Sequence, residues 1–267
     1  MKRVQIPHLL EKKKKGEKAV LLTAYDAITA EIEDKAGIDV ILVGDSVGMT
    51  VLGYRTTLPV TVDEMLIFCK AVRSRVKHAL VIADMPFLSY QVSVEEAIRN
   101  AGRFLKEADC DGVKIEGGEE MLDVIKNLVR VGIPVMGHIG MTPQWIKAFG
   151  GYKVRGRTEK ERQKLLRDAK LLEEAGVFSI ILECVLPDIA KEISESLEIP
   201  VYGIGSGPYC DGQILVVTDI LGLFKEFVPK YVKQYENLYD KIFAAVKRYI
   251  EDVKTGRYPS KEHCYDK

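Results

Sequence analysis

Short apolar runs rich in Val and Ile alternate along the whole chain with longer stretches of helical period, and no other feature constrains the fold as tightly. Runs of four or five apolar residues without polar alternation suit strands buried on both faces, as in a parallel sheet covered by helices. Val20–Ala24, Val40–Val43, Ala79–Ala83, Val113–Ile115, Ile133–Met136, Ile180–Leu182 and Val201–Ile204 read as such strands, and Asp219–Leu221 is the eighth candidate. Between them, Val62–Val76, Val94–Glu107, Glu119–Val131, Glu159–Ala175 and Asp188–Leu197 carry apolar residues at helical spacing, with Gly37, Gly132 and Gly176 placed as C-terminal stops. Eight units in 267 residues leave about 33 residues for each strand and its helix. This repeat, undivided by any Pro- or Ser-rich linker, fits an α/β fold of the (β/α)8 TIM-barrel type, a single domain over 1–267, better than an open doubly wound sheet. Ile6–Lys15 lies outside the repeat and is expected as an extra N-terminal helix over the barrel bottom. Lys230–Lys254 is expected as the last outer helix. The lysines at 12–15 read as a solvated face.

Charge and motif content then narrow the function. With 39 basic against 39 acidic residues, the chain has no field to attract a phosphate backbone or an anionic membrane surface, so a small-molecule partner is expected, with no nucleic acid and no membrane. The N-terminus has no signal-peptide core, and no apolar run approaches the ~18 residues of a membrane span. The five cysteines, at 69, 110, 184, 210 and 264, show no CxxC spacing, so neither a zinc site nor a disulfide framework is expected and the compartment reads as cytoplasmic. GIGSGP at 203–208 fits neither a dinucleotide fingerprint nor a P-loop, and HExxH and GxSxG are absent. Tyr231, Tyr235, Tyr239 and Tyr249 have helical spacing and read as a packing surface.

The residues just past the apolar runs are the informative ones. VILVGDSVG ends on Asp45 and Ser46, ALVIADMPF on Asp84, GVKIEGG on Lys114 and Glu116, IPVMGHIG on His138 and SIILECV on Glu183. In a parallel barrel all C-terminal strand ends open on one face, so these side chains are expected to converge over one mouth. Each alone has a plain structural role: Asp45 as a turn acid, Glu116 as a helix-start charge with Lys114 as its neutraliser, His138 as a core histidine. Their joint occurrence at five strand ends argues for a site. Several carboxylates in one mouth need a counter-charge, and oxygen donors without clustered His or Cys favour Mg2+. Lys114 and Glu116, two apart on one strand, leave by the same face.

The motifs LTAYDA (22–27), VGDSVGM (43–49), ADMPF (83–87), GVKIEGG (112–118), GHIGMTPQ (137–144), ILECV (181–185) and DGQILV (211–216) together resemble the ketopantoate hydroxymethyltransferase family, in order from about residue 4 to about residue 233. The resemblance implies a TIM barrel and a Mg2+-dependent enzyme of pantothenate biosynthesis. The enzyme would carry a one-carbon unit from methylenetetrahydrofolate to 3-methyl-2-oxobutanoate, and would assemble as a ring-based homo-oligomer, a decamer. Carried over by motif, it assigns Asp45, Asp84 and Glu116 to the metal, directly or through water. It also assigns Asp45, Ser46, Asp84 and Lys114 to substrate binding, and Glu183 to the general base. Three departures are local: Met141 replaces Leu, the Pro of ECVLP stands one place late, and GSG replaces GAG at 205–207. Two rival readings are a Mg2+-dependent C–C lyase or mutase of the isocitrate-lyase and phosphoenolpyruvate-mutase kind, and a non-catalytic barrel kept as a ligand-binding subunit. The lyases' KKCGH-like cysteine loop is not found, and no proposed ligand or base is missing. Trp145–Arg157 reads as a lid, a folate-facing flap or a plain surface loop.

Overall fold

A computed structural model describes residues 2–225 and 228–266, and the chain divides after Val216 into two compact units. In the first, eight parallel strands close into a barrel in sequence order. They are β1 (Ala19–Thr23), β2 (Val40–Val43), β3 (Leu80–Asp84), β4 (Gly112–Glu116), β5 (Val135–Gly140), β6 (Ser179–Glu183), β7 (Val201–Ile204) and β8 (Gly212–Leu215). Closure is made by β8 pairing with β1, Ala19 opposite Gly212. The helices are α1 (Ile6–Lys15), α2 (Ala27–Ala36), α3 (Val47–Thr50), α4 (Val62–Arg73), α5 (Val94–Ala108), α6 (Leu122–Arg130), α7 (Ile146–Phe149), α8 (Glu159–Glu174) and α9 (Pro187–Ser196).

Helix starts and stops follow local chemistry. Asp26 caps α2 by accepting from Ile28 and Thr29 N–H groups, Thr61 and Glu64 form a capping box on α4, and Ser93 and Thr158 cap α5 and α8. Gly37 ends α2 at φ 95°, a left-handed turn that a side chain would resist.

The barrel interior is one apolar cluster in which Val40, Leu42, Leu80, Ile82, Met136, Ile181, Tyr202, Ile204 and Ile214 pack with Leu9 of α1. Leu9 plugs the N-terminal end, as expected of the extra helix. The lysine run differs from the expected solvated face. Lys12 pairs with Asp39 at 2.7 Å, and Lys13 reaches Asp211 at 2.9 Å and the carbonyls of Ser194 and Ile199. Two of the four lysines therefore tie α1 to the residues that precede β2 and β8.

The eighth strand is also corrected. It is Gly212–Leu215; Val217–Ile220 is instead a helical turn, α10, in the second unit. The true strand has an exposed Gln213 inside it, so its apolar signal is broken, whereas the later run imitates one. The second unit also contains α11 (Leu238–Lys254), capped by Asn237, which begins eight residues later than the periodicity predicts. Ile242, Phe243, Val246, Tyr249 and Ile250 of α11 are exposed, as are Tyr231, Tyr235 and Tyr239.

A buried acid outside the mouth makes a testable feature of α2. Glu33 is 5% exposed, and neither carboxylate oxygen has a hydrogen-bond partner among the described residues. Burial, with repulsion from Asp26 adding to it, pushes the carboxyl from 4.5 up to about 8. With the folded value above the unfolded one, the folded chain keeps a proton that the unfolded chain releases. The stabilisation is complete below the unfolded pKa and is lost as pH rises through the folded one, at up to about 1.4 kcal/mol per pKa unit. Glu33→Gln is expected to flatten the fall of Tm between about pH 5 and pH 8 and to be the more stable chain at the upper end. Parallel Tm–pH profiles for parent and variant would refute it.

Candidate active site

The alternation that fills the barrel continues upward into the site. Stepping two residues from Ile82, Met136 and Ile181, which point inward, leads to Asp84, His138 and Glu183 at the C-terminal ends of their strands. Register then sets neighbours: Asp84 lies opposite Lys114, Glu116 opposite His138, and Gly140 opposite Glu183. Asp45 and Ser46 arrive from the turn after β2. The structure brings the acids, Lys114 and His138 into one connected network, with Ser46 adjoining it through the Asp45–Ser46 turn.

Lys114 Nζ is the hub. It lies 2.9 Å from Asp84 Oδ1, 3.4 Å from Glu116 Oε1 and 3.1 Å from His138 Nδ1. An ammonium has only protons to offer, so His138 Nδ1 is the acceptor in that contact, and Nε2 stands 3.3 Å from Glu183 Oε2 without an aligned hydrogen bond. Asp84 Oδ2 accepts the Asp45 N–H at 3.1 Å, and the Ser46 hydroxyl bonds to that of Tyr25 at 2.8 Å.

The charges are buried and unequal in number. Burial is the main force raising the Asp45 carboxyl, reinforced by Asp84 and Glu116. Burial also raises Asp84 against the pull of Lys114. For Glu116 burial is outweighed by Lys114 and His138, which hold its carboxyl down. For Lys114 it is outweighed by the three carboxylates, which hold the proton on.

Three buried carboxylates against one ammonium leave room for a second cation. Asp84 Oδ1 touches Lys114 without an aligned hydrogen bond, so it retains a lone pair for a ligand role. Among the described residues no three or more His, Cys, Asp or Glu groups close around a common point. The donors therefore fit a hard divalent ion that takes one or two carboxylates and fills its remaining positions with water and substrate oxygens. They do not fit zinc.

The backbone around Glu183 is tightly constrained. A Cβ on Gly140, whose φ is 102°, would stand 2.3 Å from the Glu183 carbonyl oxygen, which accepts the Met141 N–H at 2.8 Å. Cys184 next to it has φ 50°, a left-handed conformation costly for a side-chain-bearing residue. Its carbonyl accepts the Arg155 N–H at 2.7 Å, which pins the Trp145–Arg157 segment to the end of β6. Tyr152 of that segment, half exposed, contacts Met49 Sδ at 3.8 Å, and partial desolvation together with Glu183, Asp45 and Glu116 raises its phenol. Trp145, Phe149 and Arg155 line a cavity of about 350 Å3 whose other walls include Gly117, Ile139 and Lys164.

Four site residues escape the strand-end reading: Tyr25, Tyr90, Gln144 and Tyr152. None is charged, and only Tyr25 directly follows an apolar run. Tyr25 and Gln144 are marked only by membership of LTAYDA and GHIGMTPQ, Tyr152 by its place in the glycine-bounded loop after α7, and Tyr90, three residues past ADMPF, by nothing.

The model of the ketopantoate hydroxymethyltransferase family matches residues 3–261, well beyond the stretch the motifs cover. The 3-methyl-2-oxobutanoate hydroxymethyltransferase of Thermotoga neapolitana is 56% identical over 96% of this chain and 94% of its own length. That of Syntrophus aciditrophicus is 53% identical over 95% and 93%. Among solved structures, a phosphonopyruvate hydrolase complexed with oxalate and Mg2+ superposes with TM-score 0.63 at 13% identity, covering 98% of this chain and 92% of that one. A 2,3-dimethylmalate lyase does so with TM-score 0.58 at 16%, covering 97% and 91%. At such identities the likeness is one of fold.

Proposed function

Since the chain belongs to the ketopantoate hydroxymethyltransferase family, it is a one-carbon transferase acting on 3-methyl-2-oxobutanoate, and we propose that Glu183 is its general base, with Asp45, Asp84 and Glu116 holding Mg2+, directly or through water, and methylenetetrahydrofolate as donor. The observation that supports this most is the convergence of Asp84, Lys114, Glu116, His138 and Glu183 at the C-terminal ends of four neighbouring strands, with Lys114 2.9 Å from Asp84 and His138 3.3 Å from Glu183. It sets a carboxylate–ammonium group beside a separate carboxylate that is oriented by an imidazole.

In this reading Lys114 and Ser46 receive the oxo acid's carboxylate and carbonyl oxygens, and Asp45 and Asp84 complete that end of the site. A divalent cation, when bound there, supplies Lewis-acid polarisation of the ketone and balances the carboxylates. Glu183, 12% exposed at its side chain, takes the proton from the methine carbon. His138, its Nε2 3.3 Å from Glu183 and its Nδ1 held by Lys114, keeps the base in place. Water hydrolyses the two C–N bonds of the methylene group, releasing tetrahydrofolate and a one-carbon unit at the formaldehyde level. The electron pair left on the methine carbon then forms the C–C bond to that carbon as its C=O pair moves onto oxygen, which takes a proton to give the hydroxyl of 2-dehydropantoate. The cavity walled by Trp145 and Phe149 gives a ring-bearing donor room beside the strand ends.

The lyase reading gives way to the full-length sequence identity with hydroxymethyltransferases, since its own support is a likeness of fold. We also place the enzyme in the cytoplasm as a homo-oligomer, a decamer. All five cysteines are unpaired, α11 exposes apolar residues, and no helix of the described residues is long and apolar enough to cross a membrane.

The test is proton NMR of 3-methyl-2-oxobutanoate in D2O with the protein and Mg2+. The methyl doublet is expected to collapse as the methine proton exchanges, and EDTA is expected to stop it. A doublet that persists with the donor analogue tetrahydrofolate also present would sink the assignment of base and cation.

A further inference from the structure

Gln144 carries no charge, yet it touches three of the elements that supply the site's acids. It is 3% exposed, on the tight turn Pro143–Trp145 that follows β5. Its Nε2 donates to Asp45 Oδ2 at 3.0 Å and to the Met85 carbonyl at 2.9 Å. Its Oε1 accepts from the Tyr90 hydroxyl at 2.8 Å and from Gln91 Nε2 at 3.3 Å. Its backbone N–H donates to Glu116 Oε2 at 3.0 Å. A carbonyl can only accept, so the contact with Met85 settles which end of the amide is nitrogen, and the same nitrogen then faces Asp45.

The consequence concerns which carboxylate oxygens remain for a ligand. The terminal torsion of a free carboxylate is broad and two-fold, so either oxygen can face either way. Gln144 engages one oxygen of Asp45 through its side chain and one of Glu116 through its backbone. The second oxygen of Glu116 is the one facing Lys114 and His138. Tyr90, fully buried, braces the arrangement: its hydroxyl lies within reach of Gln144 and of the Glu116 backbone, 3.1 Å from the carbonyl and 3.2 Å from the N–H.

We propose that Gln144 is a positioning residue that turns the second oxygen of Asp45 toward the divalent cation and fixes Glu116 against Lys114, with Tyr90 acting through it. The proposal rests on the reading that these carboxylates hold that cation. Outer partners of this kind typically contribute about 10–100-fold to metal affinity. Mn2+ alone serves as the probe, its free concentration read by EPR during titration of the parent chain and of Gln144→Ala, Tyr90→Phe and the double variant, each with a thermal melt.

Gln144→Ala is expected to weaken Mn2+ about 10–100-fold while its melt shows a folded chain, and Tyr90→Phe to weaken it less. The double variant is expected to match Gln144→Ala, because Tyr90 works through the amide. Affinity within twofold of the parent in folded Gln144→Ala would overturn the assignment. Should that variant not fold, Tyr90→Phe, which removes one oxygen atom, decides in its place, and unchanged affinity there overturns the assignment equally. A parent chain that binds no Mn2+ would overturn the cation reading itself, and this assignment with it.

Discussion

Glu183→Gln is expected to lower methine exchange of 3-methyl-2-oxobutanoate by about 10²–10⁴-fold, the usual contribution of a positioned general base. The amide is isosteric and keeps an oxygen that can accept from His138 Nε2, which lies 3.3 Å from the carboxylate, so the surrounding packing stays as it is. Only the ability to take a proton is lost. The same variant is expected to bind Mn2+ with parental affinity, because Glu183 lies across His138 from the Asp84–Lys114–Glu116 group. Exchange in Glu183→Gln within a few-fold of the parent would remove Glu183 as the base. A parallel loss of Mn2+ binding would move it among the ligands instead.

The largest expected effect on stability belongs to Lys114. Its ammonium is 4% exposed at the side chain and is the cation that contacts Asp84 and Glu116. Lys114→Met keeps the aliphatic stem and deletes the charge, leaving Asp45, Asp84 and Glu116 to repel one another in a buried site. Removing one partner of a buried ion group typically costs about 3–5 kcal/mol. For a chain of this size that corresponds to a fall in Tm on the order of 10 °C. Added Mg2+ is expected to recover part of the loss by supplying the missing positive charge, and the parent to gain less from the same addition. A variant that melts within about 2 °C of the parent, with or without Mg2+, would show that the carboxylates share their protons instead of relying on Lys114.

The strand-end acids were legible because a strand's side-chain period is local. Once Ile82, Met136 and Ile181 are taken as inward residues, Asp84, His138 and Glu183 must point the same way two positions on, whatever the rest of the chain does. The strand count was legible for the same reason, down to the one strand, β8, whose apolar run is interrupted by Gln213. The lysines at 12 and 13 were not, because their partners Asp39 and Asp211 lie 27 and 198 residues away.

By itself, then, the sequence determined the repeat, the mouth and the acids that line it, and its motifs carried the family. Those are properties of short windows and of residue type, and short windows need no knowledge of what packs against them. Only the tertiary structure decided that Lys114 is the hub of the charges, that His138 stands between Lys114 and Glu183, and that Gln144 reaches Asp45 across 99 residues of chain. Such contacts depend on barrel closure and strand register. A neutral amide becomes part of a charged site only when the fold sets it beside a carboxylate that has one oxygen to spare.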